Sequence, residues 1–326
     1  MHMQGVKTAG TGIMALAAML AVAGPATAQQ SAPADASAHD VAVAIVDVGS
    51  NKLYSKDANV RFVDLTPALK PGYSHASGRV GDVDHGDIVA QAFVREYRRL
   101  DPSARITIYT INPFVTKGFA GTGSMMFSRS AIRESMPRLK EAGVRTVVTT
   151  FGVSDQKAGE SILKEFQDAG IVVFASAPNS KDDEGIWPAA SPASIAVADG
   201  DRNSEFYKAK GWSKWVDFVA SGIEHDGTMD GQGASFATPK VAAYGAYHVA
   251  RNPGAGPDEV RQAIAASSIR TRINGIEVTR VGGDDMAARF RGAEVSPGSR
   301  SKGVAVANTD TGALMARAGL GSGQDR

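Results

Sequence analysis

The stretch DGQGASFATPKVAAYG, residues 230–245, places a serine between a glycine-containing loop and a run of small residues. Gly231 and Gly233 allow the loop to approach another molecule closely. The small residues that follow favour a deeply packed helix, and Pro239 is expected near its first turn. Free backbone N–H groups at a helix N-terminus suit a nucleophile whose reaction creates an oxyanion, which makes Ser235 a candidate. The alternative is a serine that only caps a buried helix.

Around this stretch, short β-branched runs alternate with amphipathic segments. The runs predict buried parallel strands at residues 41–47, 60–65, 105–111, 145–150, 171–175 and 193–198. Apolar residues recur at helical spacing in 88–100 and 157–169. The alternation predicts an α/β fold, a mostly parallel sheet with helices on both faces. We assign 41–292 to this domain and predict a low-complexity tail over 293–326, which is rich in Gly, Ala, Ser and charged residues.

Two residues upstream of Ser235 carry catalytic potential. Asp47 closes the first apolar strand, where a carboxylate needs a partner, although it could also cap a turn. His85 begins the first helical stripe, a rigid position that suits a general base and equally a structural histidine. The order Asp, His, Ser along the chain is one of three unrelated orders that build the same catalytic triad.

With these motifs the chain resembles the subtilisin-like serine proteases, the subtilases. VAIVDVGSN (43–51) resembles the family's aspartate motif, DHGDIVA (84–90) its histidine motif, and GASFATPKVAA (233–243) its serine motif. GIVVFASAPNS (170–180) is similar to the strand that delivers an oxyanion-hole asparagine. The resemblance implies a subtilisin-like three-layer sandwich, and it covers roughly residues 40–270.

The resemblance also implies a role for each site residue. His85 would deprotonate Ser235, and Asp47 would orient His85. The side chain of Asn179 and the backbone N–H of Ser235 would hold the oxyanion. Pro178 replaces the family's usual glycine, so two alternatives stay open: Asn179 supplies this donor, or Pro178 displaces it.

The implied substrate is an extended peptide or an unfolded protein. Gly121, Thr122 and Gly123 resemble the strand with which the family pairs its substrate, by addition of a β-strand. The opposite wall of the cleft corresponds to the three residues Thr150, Phe151 and Gly152. The implied function is a serine endopeptidase that acts through an acyl-enzyme. The alternatives are a catalytically impaired domain that binds peptides or a partner, and an esterase that uses the same triad.

The N-terminus predicts export. Lys7, the apolar residues 13–22 and the small residues Ala26-Thr27-Ala28 are typical of a signal peptide over 1–28, followed by a polar spacer over 29–40. We expect a secreted or periplasmic protein with no membrane span in the mature chain, and a retained anchor is the alternative. The spacer is too short for a folded inhibitory prodomain, so a separate inhibitor or prodomain is the expected means of control, unless folding needs no such helper.

Composition excludes several other classes of site. The chain contains no cysteine, so it has no disulfide, thiolate nucleophile or Cys-ligated metal. A net charge of +1 gives no electrostatic case for binding nucleic acid. DGDRNSE (199–205) is rich in oxygen ligands but lacks a complete calcium-loop signature. An ordinary Asp/Asn turn is therefore favoured over a calcium site, and no cofactor is predicted with certainty.

Overall fold

A computed structural model of the protein describes residues 40–49, 57–80, 83–117, 125–153, 156–179, 186–201, 215–225, 230–273 and 275–295. The predicted signal peptide lies outside these ranges, as does the spacer up to residue 39. The last helix extends to Val295, three residues into the segment predicted as a tail, and the rest of that segment lies outside the described residues.

The strands alternate with helices along the chain. In order, the strands are β1 (Asp40–Val46), β2 (Val60–Asp64), β3 (Tyr73–His75), β4 (Arg79–Val80), β5 (Val83–Asp84), β6 (Arg105–Ile111), β7 (Phe114–Lys117), β8 (Met125–Phe127), β9 (Thr146–Thr149), β10 (Val172–Ser176), β11 (Ser194–Asp199), β12 (Phe218–Ala220), β13 (Ile223–His225), β14 (Asp230–Gln232), β15 (Ile269–Ile273) and β16 (Ile276–Arg280). The helices are α1 (His85–Leu100), α2 (Arg129–Glu141), α3 (Gln156–Asp168), α4 (Ala234–Arg251), α5 (Pro257–Ser267) and α6 (Asp284–Val295).

Nine strands form one sheet in the order β15-β16-β12-β11-β10-β9-β1-β6-β2. Neighbouring strands are parallel throughout, except for the antiparallel hairpin β15–β16. All six predicted strands occur in this sheet, within two residues of their predicted ends. β2 was expected to be buried, but among the described strands it lies at the sheet edge beside β6 alone, and its residues are partly exposed.

Helices cover both faces of the sheet, which confirms the predicted three-layer α/β sandwich. Alternate residues of β1 point to opposite faces, because side chains alternate along a strand. Val43 and Ile45 pack in the core that contains α1 and α4, whereas Ala44 and Val46 pack in the core that contains α2 and α3. The sheet is therefore apolar on both sides, as expected for parallel strands between helices.

Helices α1 and α4 run side by side in the same direction. His85 contacts Phe236 near the N-terminal ends of the two helices, and Tyr97 contacts Tyr247 near the C-terminal ends. Pro239 was expected in the first turn of α4, but the helix begins at Ala234, so the proline lies in its second turn. No helix in the described ranges is both long enough and apolar enough to span a membrane.

Candidate active site

Three adjacent parallel strands bring polar residues to one edge of the sheet. Asp47 follows β1, Thr150 follows β9, and Asn179 lies three residues after the end of β10. The carboxyl ends of parallel strands meet at the same edge, where binding sites of open α/β sheets form. The N-termini of α1 and α4 bring His85 and Ser235 to this edge, so the structure brings all five residues together.

Asp47 and His85 form a charge-paired hydrogen bond. The Nδ1 atom of His85 lies 2.9 Å from Oδ1 and 2.8 Å from Oδ2 of Asp47. The Asp47 side chain is only 2% exposed and that of His85 is 21% exposed. A carboxylate so deeply buried is costly without a partner, and the imidazole N–H supplies one. Asp47 Oδ1 also accepts the backbone N–H of Val48, so local capping and pairing with His85 coexist.

The environment of His85 sets its proton affinity. Burial of the imidazole lowers the pKa of His85, whereas the negative charge of Asp47 and the hydrogen bond to it raise the pKa. The two contributions from Asp47 together exceed the effect of burial, so the pKa of His85 lies above its ordinary value. The neutral imidazole is therefore a somewhat stronger base than a free histidine.

Thr150 connects Asp47 with Ser235. Its hydroxyl donates a hydrogen bond to Oδ2 of Asp47, and its backbone carbonyl accepts one from Oγ of Ser235 at 3.3 Å. The sequence predicted Thr150 only as part of the substrate-binding wall and did not predict the hydrogen bond to Asp47. The position of Thr150 could have indicated this hydrogen bond, because Thr150 follows β9 just as Asp47 follows the neighbouring β1.

Ser235 is the second residue of α4, and the helix is capped by Gly233. The interpretation of Ser235 as the cap of a buried helix is therefore wrong. Gly233 has φ 154° and ψ 169°, a conformation available almost only to glycine. The Ser235 hydroxyl donates to Thr150 and not to His85 in this state. The next residue, Phe236, lies with its ring centroid 5.3 Å from that of the His85 imidazole.

Asn179 lies over the N-terminus of α4. Its Oδ1 atom accepts the backbone N–H of Ala234 at 2.8 Å, one residue before Ser235. Its Nδ2 atom lies 2.9 Å from the position that a Cβ on Gly233 would occupy. With Pro178 before it, the amide thus contacts the first turn of α4. A larger residue at position 233 would displace it.

Thr150, Phe151 and Gly152, which were predicted to form one wall of the cleft, lie among the described residues and directly follow β9. Cδ1 of Ile186 lies 1.6 Å from the position of a Cβ on Gly152, so no side chain fits there without movement. The Phe151 ring packs against Phe114 and Phe127, with centroid distances of 5.2 and 5.0 Å. Sequence reasoning did not find Ile186. The other wall, Gly121, Thr122 and Gly123, lies outside the described residues.

Only the first part of the oxygen-rich segment 199–205 is described. The Asp199 carboxylate accepts hydrogen bonds from the backbone N–H groups of Asp201 and Gly222. The Asp201 carboxylate accepts hydrogen bonds from the backbone N–H of Gly222 and the hydroxyl of Ser221. Burial raises the pKa of Asp199, and the nearby Asp201 charge adds to this effect. Within the described ranges, no cluster of three or more His, Asp or Glu residues could hold a metal ion.

A sequence model of the subtilase family matches residues 20–293 of the chain. Subtilisin Savinase of Lederbergia lenta is 24% identical over 232 residues, which cover 68% of this chain and 80% of that protein. An alkaline protease of Alkalihalobacillus alcalophilus is also 24% identical over 232 residues, 68% of this chain and 57% of its own length. The protein isp6 of Schizosaccharomyces pombe, described as a putative subtilase-type proteinase, is 26% identical over 173 residues. These residues cover 49% of this chain and 36% of isp6.

Solved structures share the fold. A cold adapted subtilisin-like serine proteinase superimposes with a TM-score of 0.52 at 19% identity, over 74% of this chain and 87% of that chain. The prenylagaramide maturation protease PagA gives a TM-score of 0.52 at 18% identity, over 77% of this chain and 93% of that chain. The three-layer sandwich is thus of the same kind as in these proteins.

Proposed function

Because the chain belongs to the subtilase family of serine-type peptidases, we propose that it is a secreted endopeptidase with the triad Asp47, His85 and Ser235. The observation that carries this proposal is the buried Asp47–His85 pair at the N-terminus of α1, beside the helix that bears Ser235. The family acts on peptide bonds, and an extended peptide or unfolded protein is the proposed substrate.

In the proposed mechanism, His85 accepts the proton of the Ser235 hydroxyl as the oxygen attacks the scissile carbonyl carbon. A C–O bond forms, and the carbonyl π electrons move onto oxygen. Nε2 of the charged imidazole then donates the proton to the departing amine as the C–N bond breaks. Asp47 stabilises the charged imidazole throughout, because it holds Nδ1 at 2.8–2.9 Å. Water releases the acyl group by the same steps, again with His85 as the base.

The proposed oxyanion hole combines the Asn179 amide with the backbone N–H of Ser235. The contact between Asn179 and Ala234 supports this role, because it fixes the amide one residue from the nucleophile. The serine must turn from Thr150 toward His85 for attack. Catalytic hydrogen bonds are often long or misaligned before substrate binds, so the bond to Thr150 is compatible with activity.

A second candidate is a domain that binds peptides without cleaving them. The bond from the Ser235 hydroxyl to Thr150 favours it, because it directs the hydroxyl proton to a carbonyl that cannot act as a base. An esterase that uses the same triad is the third candidate, and hydrolysis of an ester without hydrolysis of peptides would identify it.

The test is labelling with a fluorophosphonate, together with kcat on an unstructured peptide. We expect label on Ser235 alone, and a loss of about 10⁶ in kcat for Ser235→Ala.

The kcat of Asn179→Ala should fall by a factor of about 10² to 10³, and an unchanged kcat would mean that Pro178 displaces the amide. Ser130→Ala, exposed on α2, is the matched control and should behave as wild type. A wild type no faster than Ser235→Ala would establish the non-cleaving domain instead.

A further inference from the structure

A cavity of about 500 Å³ lies beside α1 and α4, and none of its lining residues belongs to the proposed catalytic site. Four of them are cationic, namely Arg95, Arg99, Lys240 and Arg280, and two are acidic, Glu96 and Glu224. A cavity of this size is typical of small-molecule sites. In the described lining the positive side chains outnumber the negative ones, and two further carboxylates, Asp201 and Asp284, lie 3.5 and 3.6 Å from Arg280 and Arg99.

Two of the cations, Lys240 and Arg95, are paired with Glu224, although the Arg95 side chain is still 44% exposed. Nζ of Lys240 lies 2.8 Å from Oε1 of Glu224 and donates to the carbonyls of Ser221 and Ile223, both at 2.9 Å. Arg95 donates to the other carboxylate oxygen of Glu224. These contacts join α1, α4 and β13 into a fixed floor. The role of Lys240 is structural, because its three ammonium hydrogens all have partners.

Among the described residues, the acidic partners of the other two cations are distant, and Nη1 of Arg280 also donates a hydrogen bond to the Gly200 carbonyl at 3.3 Å. Nη1 of Arg99 lies 3.6 Å from both Glu96 and Asp284, and Nη2 of Arg280 lies 3.5 Å from Asp201. These separations exceed the usual 2.7–3.2 Å of a hydrogen bond. The side chains of Arg99 and Arg280 are 49% and 43% exposed, so a ligand can reach their guanidinium groups.

The remaining walls suit a small organic molecule. Ala92, Ile223 and Val281 give apolar surface. Gly282 and Gly283 have φ values of 115° and 94°, and a Cβ on either residue would meet nothing within 4 Å. Glycine lets a ligand approach this backbone closely. Burial raises the pKa of Glu96, and one of its carboxyl oxygens accepts a hydrogen bond from the Tyr244 hydroxyl.

We propose that this cavity binds a small organic acid through the guanidinium groups of Arg99 and Arg280. The anionic group is a carboxylate or a phosphate monoester, because both accept paired N–H donors from arginine. The cavity is much larger than an inorganic ion, and its apolar residues contact the carbon skeleton of the ligand. The proposal does not depend on peptidase activity.

The test is isothermal titration calorimetry of the intact chain at low, constant ionic strength. Citrate, glycerol 3-phosphate and uncharged glycerol are the three probes. We expect at least one anion to bind with a Kd below about 1 mM and glycerol not to bind. The stronger of the two anions identifies a carboxylate or a phosphate ligand. Absence of binding by both anions, or equal binding of glycerol, would overturn the proposal.

Variants locate the site. Arg99→Gln/Arg280→Gln should weaken binding about tenfold or more. Arg270→Gln/Arg272→Gln removes the same charge from the exposed strand β15 and should leave the Kd unchanged. An equal loss in both pairs would mean that only net charge matters, and the proposal would be wrong. Arg280→Lys keeps the charge but lacks the paired donors, so it should also weaken binding, and its unfolding midpoint is the check on folding.

Discussion

Thr150 shows how much a single residue contributes to the candidate site. Its hydroxyl donates to Asp47 and its carbonyl accepts from Ser235, so one residue of the sheet edge fixes the orientation of two members of the proposed triad. Asp47 in turn holds His85. Asp47 and His85 are therefore positioned relative to each other before any substrate arrives. The Ser235 hydroxyl, by contrast, is held by Thr150 and must turn toward His85 before the proposed attack.

The first prediction concerns His85 and pH. Only the neutral imidazole accepts a proton from Ser235, and the pKa of His85 is raised, so kcat/KM should rise with pH through a pKa above about 6.5. In Asp47→Asn the burial that lowers the pKa remains, while the charge of Asp47 is lost. The inflection should therefore move to lower pH, with kcat reduced about 10⁴-fold. An unmoved inflection would show that another group titrates.

The second prediction concerns the close contact at Gly152. Gly152→Ala should destabilise the fold by about 1–3 kcal/mol, because the methyl group would overlap Cδ1 of Ile186. The added Ile186→Ala substitution removes that atom and should restore most of the loss. Urea unfolding of the two single variants and the double variant measures the coupling. Strictly additive effects would contradict the contact.

At the scale of elements, α1 and α4 meet through a buried hydrogen bond between Glu96 and the Tyr244 hydroxyl, 2.9 Å long. Burial raises the pKa of Glu96 above its ordinary value of 4.5, against the opposing effect of the Tyr244 hydrogen bond. The folded state thus binds this proton more tightly than the unfolded state does. The contribution of Glu96 to stability is most favourable below pH 4.5 and falls as the pH rises through the folded pKa.

The third prediction follows from the direction in which the stability contribution of Glu96 changes with pH. Glu96→Gln removes the charge and keeps an oxygen acceptor for Tyr244. Its free energy of unfolding, relative to wild type, should increase as the pH rises from about 4.5 to neutrality. Glu141→Gln, at an exposed position of α2, is the matched control. Chemical denaturation across this pH range measures the free energy of unfolding of each variant relative to wild type. If these two differences change with pH in the same way, the expected effect of Glu96 is excluded.

The elements were predictable where the local pattern is strong. β-branched runs predicted six strands of the main sheet, and the carboxylate at the end of the first run pointed to Asp47, whereas Asn179 was predicted from the resemblance to the subtilases. β12 was missed, because it has only three residues. The start of α4 was misplaced because Gly233 caps the helix through its backbone conformation. No capping side chain in the sequence marks this position. The bond from Thr150 to Asp47 joins residues 103 positions apart, and local periodicity carries no information on such a contact.

At the scale of the whole molecule, the export of the chain is testable directly. Residues 1–28 have the pattern of a signal peptide and lie outside the described residues. We expect mature protein in the extracytoplasmic fraction to begin at Gln29, after Ala26-Thr27-Ala28. N-terminal sequencing and intact mass measure this. Material from that fraction that still begins at Met1 would contradict cleavage.

The sequence separations between the site residues determine when the site forms during folding. The contacts that join them span 38 residues for Asp47–His85, 103 for Asp47–Thr150 and 85 for Thr150–Ser235. Such remote contacts form late and slowly during folding. A growing chain on the ribosome therefore carries no assembled triad until α4 has been synthesised and has packed against the sheet. The proposed peptidase activity would therefore appear only when the fold is complete.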